Sequence, residues 1–241
     1  MKITIITVTF NSQETIRDTL NSTLSQNYKD IEHIFVDGGS TDQTLKILRK
    51  YSLKNKKIYI KKNYGIYRSI NYGIKKATGK YILILNSDDI YNSNKTIHQI
   101  VEIIKKNKDT SIFLGSVSYF NSFDYYKVVR KYDSMDFKIR NMKFGLMPPH
   151  PASVIKKDVY DKFGLYKENF KIAADFEIFL RFLFIHKLRF KKINKTIVRM
   201  RTGGISGKNL KSYFVTTFEI LKSFRLNNFK SNIFFTLMRI P

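Results

Sequence analysis

The chain has 241 residues, no cysteine, and a formal net charge of +25 from 44 Lys and Arg against 19 Asp and Glu. The missing cysteine excludes disulfides, a thiolate zinc site and a cysteine nucleophile, and fits a reducing compartment. A hydrophobic content of 43%, with 15% aromatics, excludes a disordered chain and is ample for one large domain.

The elements alternate from the start. Residues 3–9 form an apolar, β-branched run that predicts a buried strand, and residues 12–25 a helix with Ile16, Leu20 and Leu24 on one face. Residues 31–36 predict a second strand. Ser40-Thr41-Asp42-Gln43 then resembles a capping box opening a helix to about residue 51. A short strand at 58–60, a helix at 67–77 closed by Gly79, and a strand at 81–85 complete a βαβ series. Such a series implies a mostly parallel sheet with right-handed crossovers. Further on, 94–106 reads as a helix, 112–120 and 127–132 as a hairpin, 152–156 as a strand and 174–186 as a helix. A basic, aromatic tail runs over 208–241. The N-terminus is too short and β-branched for a signal peptide, and no run has the apolar length of a membrane span.

In a parallel sheet, ligands bind beyond the carboxyl ends of the strands. Three polar clusters lie at those ends: Thr9-Phe10-Asn11, Asp37-Gly38-Gly39-Ser40 and Asn86-Ser87-Asp88-Asp89. Asp37 can accept from a nucleobase or a ribose hydroxyl, or merely close a tight turn. Asp88 and Asp89 offer the one or two carboxylates that Mg²⁺ or Mn²⁺ takes when phosphate and water complete its shell. A loop cap ahead of the next helix explains them equally well. Asp175 opens a helix, where the helix dipole should depress its pKa, and a fixed carboxylate there can take a proton from a hydroxyl. Glu177 reads as a supporting acid. His150 lies among Pro148, Pro149 and Pro151, which restrict its loop and can aim it at a site. Gly203-Gly204-Ile205-Ser206 reads as a mobile lid or a turn. No nucleophile elbow and no glycine-rich phosphate loop is present.

The segments Thr7–Asn11, Val36–Asp42, Ala77–Tyr81 and Leu85–Asp89, followed by His150–Ser153, Ala173–Glu177 and Gly203–Ser206, occur in an order that resembles glycosyltransferase family 2. That resemblance covers the chain to about Gly207. It implies the GT-A fold, a Rossmann-like nucleotide-sugar-binding α/β arrangement with a mostly parallel central sheet flanked by helices and a C-terminal helical extension. The domain would span 1–207, with a nucleotide-sugar half over 1–92 and an acceptor half over 93–207, followed by the tail at 208–241. By the same resemblance, Asp37 binds the base, usually uracil, with Thr9, Asn11 and Asn63. Asp88 holds Mn²⁺ or Mg²⁺, and Asp175 is the catalytic base. Asp89, His150, Glu177 and Gly204 line the donor and acceptor pocket. Two departures stand out. Asn86 replaces a frequent aspartate, and Lys61, Asn63 and Arg68 replace acids around Gly65, which implies altered donor choice or a weakened enzyme.

The leading expectation is therefore a metal-dependent, inverting transferase for surface polysaccharide such as O-antigen. It would move sugar from a UDP-sugar to a lipid-linked saccharide, in the cytoplasm at the inner membrane face. In the tail, Leu210, Tyr213, Phe214, Phe218, Leu221 and Phe224 recur at helical spacing among bases, as in a helix lying in an anionic membrane surface or packed on its own core. Rival readings are a catalytically silent sugar-nucleotide-binding subunit and a nucleic-acid-binding protein. Scattered bases and the lack of a nucleic-acid motif count against the latter.

Overall fold

The structure is a computed structural model that describes residues 1–121, 124–202 and 210–229. One nine-stranded sheet carries the strand order β3-β2-β1-β4-β8-β6-β9-β5, with β7 paired to β6. Strands β1 (Ile3–Thr9), β2 (Ile31–Asp37), β3 (Lys56–Ile60) and β4 (Tyr81–Ile84) are mutually parallel. Strand β8 (Ser153–Lys156) runs against β4 and against β6 (Ile112–Asn121), so β6 and its parallel neighbour β9 (Phe190–Arg201) share the direction of the first four. Strands β5 (Ile90–Tyr91) and β7 (Asp124–Tyr132) run the other way, and β6 and β7 form the expected hairpin.

The sheet is buried on both faces, which is why β1, β2 and β4 read as continuous apolar runs rather than alternating ones. Ile6, Ile34, Val36, Ile82 and Ile84 pack on one side, and Ile3, Ile5, Tyr81 and Leu83 on the other. Helix α3 (Ile66–Lys76) packs Tyr67, Ile70 and Ile74 on the first side. Its Gly73 permits that approach, because a Cβ there would stand 2.7 Å from Ile6.

Four local expectations are corrected. In α1 (Ile16–Leu24), Ile16 and Leu20 are buried as expected, but Leu24 is 42% exposed and Thr19 and Thr23 complete the inner face. The capping box does not form. Helix α2 (Thr44–Lys50) has no side-chain cap at Gln43, because the Ser40 hydroxyl donates instead to the Asp37 carboxylate, a stronger acceptor. The helix predicted over 174–186 is α-helical only over α6 (Ala174–Phe179) and continues as a π-helical stretch, Leu180–Ile185. In α7 (Leu210–Leu226), the expected single apolar face is divided. Ile220 and Phe224 are buried, with Phe224 edge-on to Phe176 at 5.5 Å, while Phe214 and Phe218 face outward. The predicted lid with Gly204, and the tail residues 208, 209 and 230–241, lie outside the described residues.

Candidate active site at the carboxyl edge of the sheet

Because β1 to β4 are parallel and in register, their carboxyl ends meet at one edge. The three polar clusters meet there and bond to one another. Gly38 N–H donates to the Thr9 carbonyl at 2.8 Å. Asn11, in the left-handed region at φ 47°, accepts from Thr41 N–H at 2.9 Å and donates its own N–H to Ser40 Oγ at 2.9 Å. Ser12 and Ser87 share a hydroxyl contact at 2.9 Å, and Thr15 Oγ1 donates to the Ser87 carbonyl at 2.9 Å.

Asp37 is fully buried and its carboxylate is saturated. Oδ1 accepts from Gly39 N–H at 2.9 Å and Ser40 N–H at 2.7 Å. Oδ2 accepts from Thr9 Oγ1 at 2.8 Å and Ser40 Oγ at 2.6 Å. A carboxylate has about four lone-pair sites, and all four are used to hold the loop. Gly39 is required at its position, since φ is +96° and a Cβ would stand 2.9 Å from Lys62 Cγ. Beside this loop, Phe10 is 64% exposed and its ring lies against Gly38. Asn63 is exposed just past β3, in the left-handed region at φ 58°.

Beyond β4, Asp88 is half-buried and Asp89 buried. Burial pushes both carboxyls up, Asp89 to about 8 with the charge of Asp88 adding to the rise. Asn86 Nδ2 donates to Asp89 Oδ2 at 2.8 Å, and Thr19 Oγ1 to the Asp89 carbonyl at 2.8 Å. Two desolvated, mutually repelling carboxylates on a rigid edge suit a hard divalent cation. Among the described residues, no group of three or more His, Asp or Glu comes together as a metal cage.

The sequence reading missed Arg201, at the carboxyl end of β9. Its guanidinium bonds Asp18 of α1 and lies 5.3 Å from the Phe120 ring centre. Its charge opposes, without cancelling, the rise that burial gives Asp88 and Asp89, and its backbone amide bonds Asp89. The only signal was the alternation Arg199-Met200-Arg201 at the end of a strand masked by its lysines.

Asp175 belongs to a second cluster, with Tyr67 of the first turn of α3 and Tyr166. The Tyr67 hydroxyl donates to the Ile172 carbonyl, and the rings of Tyr67 and Tyr166 stack at 5.9 Å. Burial raises Asp175 to about 7, against a lowering by the Phe176 amide, which donates to Asp175 Oδ1 at 2.8 Å. The depression expected from the helix terminus is thus overturned by desolvation. Asp175 lines a cleft of about 630 Å³, walled mainly by apolar groups including Phe137, Leu146, Met147 and Ile220, with Tyr132 and Arg130 also in its lining.

Two predicted pocket residues stand elsewhere. Glu177 is fully buried and forms a bidentate pair with Arg181 at 3.0 and 2.9 Å. Arg181 in turn donates to the carbonyls of Phe163, Gly164 and Leu165. Helical geometry turns Glu177 away from Asp175, into packing against α5 (Lys157–Phe163). His150 points inward as well, with Nε2 2.8 Å from the Tyr166 hydroxyl and its ring edge-on to Phe179. Burial lowers its pKa to about 4, so it is neutral.

The family described as Glycosyl transferase family 2 matches residues 4–167. An uncharacterized glycosyltransferase of Rickettsia typhi is 31% identical over 196 residues, covering 78% of this chain but 60% of the relative. The chain therefore spans less than two thirds of that protein's length. The UDP-Glc:alpha-D-GlcNAc-diphosphoundecaprenol beta-1,3-glucosyltransferase WfaP of Escherichia coli is 29% identical over 234 residues, 92% of this chain and 86% of the relative. Among solved structures, S. aureus TarS 1–349 in complex with UDP-GlcNAc aligns with a TM-score of 0.73 at 22% identity, over 92% of this chain and 66% of that one. A mannosyltransferase from Pyrobaculum calidifontis, in complex with GDP-Man and Mn2+, aligns at 0.66 with 17% identity, over 96% and 66%. At these identities the structural likeness carries the fold, the GT-A arrangement.

Proposed function

Because the chain belongs to glycosyl transferase family 2, we propose that it is an inverting, metal-dependent transferase that moves a sugar from a UDP-sugar to a hydroxyl of a lipid-linked saccharide. Two observations support this reading: the desolvated Asp88–Asp89 carboxyl pair beyond β4, and Asp175, a carboxyl that burial raises to about 7 and that lines the cleft. Asp175 accepts the proton of the attacking hydroxyl. The hydroxyl oxygen bonds to the anomeric carbon as the bond to the diphosphate breaks, and UDP leaves with the electron pair. One in-line displacement inverts the centre and leaves the proton on Asp175. A pKa near the working pH is what general-base catalysis favours.

Asp88, backed by Asp89, would hold Mn²⁺ or Mg²⁺, whose chemistry when bound is to neutralise the departing diphosphate. Thr9, Asn11 and Asp37 build the loop on which the nucleotide rests, the exposed Phe10 ring offers a stacking face to the base, and Asn63 stands at the rim. Arg201 balances charge around the carboxylate pair. WfaP's name supports a UDP donor and a diphosphoundecaprenol-linked acceptor, and UDP-GlcNAc bound to TarS supports the nucleotide. An acceptor of that kind supports a role in surface polysaccharide synthesis.

A lipid-linked acceptor would bring the protein to a membrane surface, and a nucleotide-sugar donor supports the cytoplasmic side. Among the described residues no helix is long and apolar enough to cross a membrane. Attachment would be peripheral, through Phe214 and Phe218, 69% and 65% exposed on α7, among Lys211, Lys222 and Arg225.

The test is UDP release from UDP-glucose and UDP-N-acetylglucosamine, with a polyprenyl-diphosphate-linked N-acetylglucosamine as acceptor. Turnover is expected only with Mn²⁺ or Mg²⁺, and Asp88→Asn is expected to lower it by about a hundredfold or more. Turnover that is indifferent to chelation and to Asp88→Asn would refute the metal's part. Failure of UDP and both donors to bind would refute the whole reading.

A further inference from the structure

We infer that Glu219, on the C-terminal helix α7, is a positioning residue for the reaction, its carboxylate fixing the loop that presents Asp175. The inference rests on Asp175 being the base. Glu219 Oε1 accepts from Lys171 N–H at 2.6 Å, and Oε2 from Ile172 N–H at 2.9 Å and Ala173 N–H at 2.8 Å. Three consecutive backbone amides thus converge on one side chain 46 to 48 residues away in sequence. Consecutive amides turned to one point make an anion seat, and here the protein fills the seat itself.

The loop is held from the other side too. The Tyr67 hydroxyl on α3 donates to the Ile172 carbonyl. Lys171–Ala173 is therefore clamped between α3 and α7, and the next two residues are Ala174 and Asp175. Helix α6 has no side-chain cap at Ala173, so its start is fixed by this external clamp. Glu219 is 6% exposed, and no lysine or arginine forms a salt bridge with it among the described residues. Burying a carboxylate without a cation is costly unless amides satisfy it, so the site is committed to this contact. Glutamine is a poor substitute, because its amide nitrogen would face an N–H donor. Helix α7 consequently serves the chemistry from its inner face, whatever its outer face does.

The groups facing Asp175 are Tyr67 of α3, Tyr166 of the loop after α5, and Glu219 of α7; Arg130 of β7 and Asp136 line the same cleft. Of these, Glu219 adds negative charge that raises Asp175.

The experiment compares Glu219→Gln, Glu219→Asp and Asp175→Asn. Its readouts are UDP release from UDP-glucose and UDP-N-acetylglucosamine with Mn²⁺, UDP affinity by calorimetry, and the Asp175 carboxyl titration by NMR. Glu219→Gln is expected to lower kcat by about tenfold to a hundredfold while donor KM and UDP affinity move by less than about twofold, since a small misplacement of the base acts on chemistry rather than binding. Its Asp175 titration should move to lower pH. Glu219→Asp keeps the charge but falls one methylene short of the amides, so kcat should fall while the titration stays near wild type; it also serves if the glutamine variant does not fold. Full kcat in Glu219→Gln with an inactive Asp175→Asn would overturn the inference alone. So would a loss of UDP affinity equal to the loss of kcat. Full turnover in Asp175→Asn would instead overturn the assignment of the base.

Discussion

Thr9 Oγ1 donates to Asp37 Oδ2 at 2.8 Å, across the paired carboxyl ends of β1 and β2. Together with Ser40 and Gly39 it saturates the carboxylate, so Asp37 shapes the loop after β2 before any ligand arrives. Asp37→Ala would leave two amides and two hydroxyls without their acceptor in a buried place. A stability loss of about 2–4 kcal/mol is expected, read as a Tm drop on the order of 10 °C. UDP affinity should fall with it. Asp37→Asn keeps one oxygen for the two amides, and the hydroxyls can rotate to adapt, so its loss should be smaller. Wild-type Tm combined with abolished UDP binding would instead mark Asp37 as a direct contact to the base.

Asp175 sets a pH dependence of opposite sign for activity and stability. In the proposed base role Asp175 acts in its ionised form, so kcat should rise as pH climbs through about 7, the value burial gives this carboxyl. In the unfolded chain the same group ionises near 3.9. Between those values the folded state holds a proton that the unfolded state has lost, so this group's contribution to stability is full below about pH 4 and declines up to about pH 7. Asp175→Asn should therefore melt above wild type at about pH 8, with the gap closing by about pH 4. The same variant should lose about 10²–10⁴-fold in turnover. A kcat that stays flat across neutrality would remove Asp175 from the base role.

Much of this was legible in the sequence. Apolar runs leading into Thr9, Asp37 and the Asn86–Asp89 cluster marked the parallel half of the sheet, because a strand buried on both faces needs no alternation to be seen. The clusters at those ends converged as parallel topology requires. What stayed hidden depended on contacts remote in sequence. Lys191, Lys192 and Lys195 mask β9 as a polar stretch, and Arg201 gains meaning only beside Asp18, 183 residues away. Glu219 is unremarkable until α7 folds back on Lys171–Ala173. For His150, Glu177 and Asp175 the residue type was visible but its direction and burial were not, and burial decided the pKa of Asp175 against the helix dipole.

Glu177 and Arg181 put that last point to a test. The pair is nearly sealed, with side chains 0% and 10% exposed. Glu177→Ala would strand the Arg181 charge inside the protein, and breaking one side of such a buried pair costs about 3–5 kcal/mol. Urea unfolding should show this loss, while kcat per folded molecule and the Asp175 titration remain near wild type. A stable variant with a raised acceptor KM would return Glu177 to the pocket.

Phe214 and Phe218 stand one helical turn apart on the outer face of α7, the side opposite Ile220 and Phe224. In water they gain little from folding, so replacing both by aspartate should lower Tm by no more than a few degrees. At a lipid surface each ring would be worth about 1.5–3 kcal/mol if fully buried. Even partial insertion of the two would then weaken binding by about tenfold or more on their loss. Lys211, Lys222 and Arg225 add attraction for anionic headgroups that salt screens. Sedimentation with phosphatidylglycerol vesicles should therefore fall with added salt and fall again in the double variant, with phosphatidylcholine vesicles binding little in either case. Equal sedimentation of wild type and variant on the anionic vesicles would show that the membrane is met through another face, and would leave α7 with its inner-face role alone.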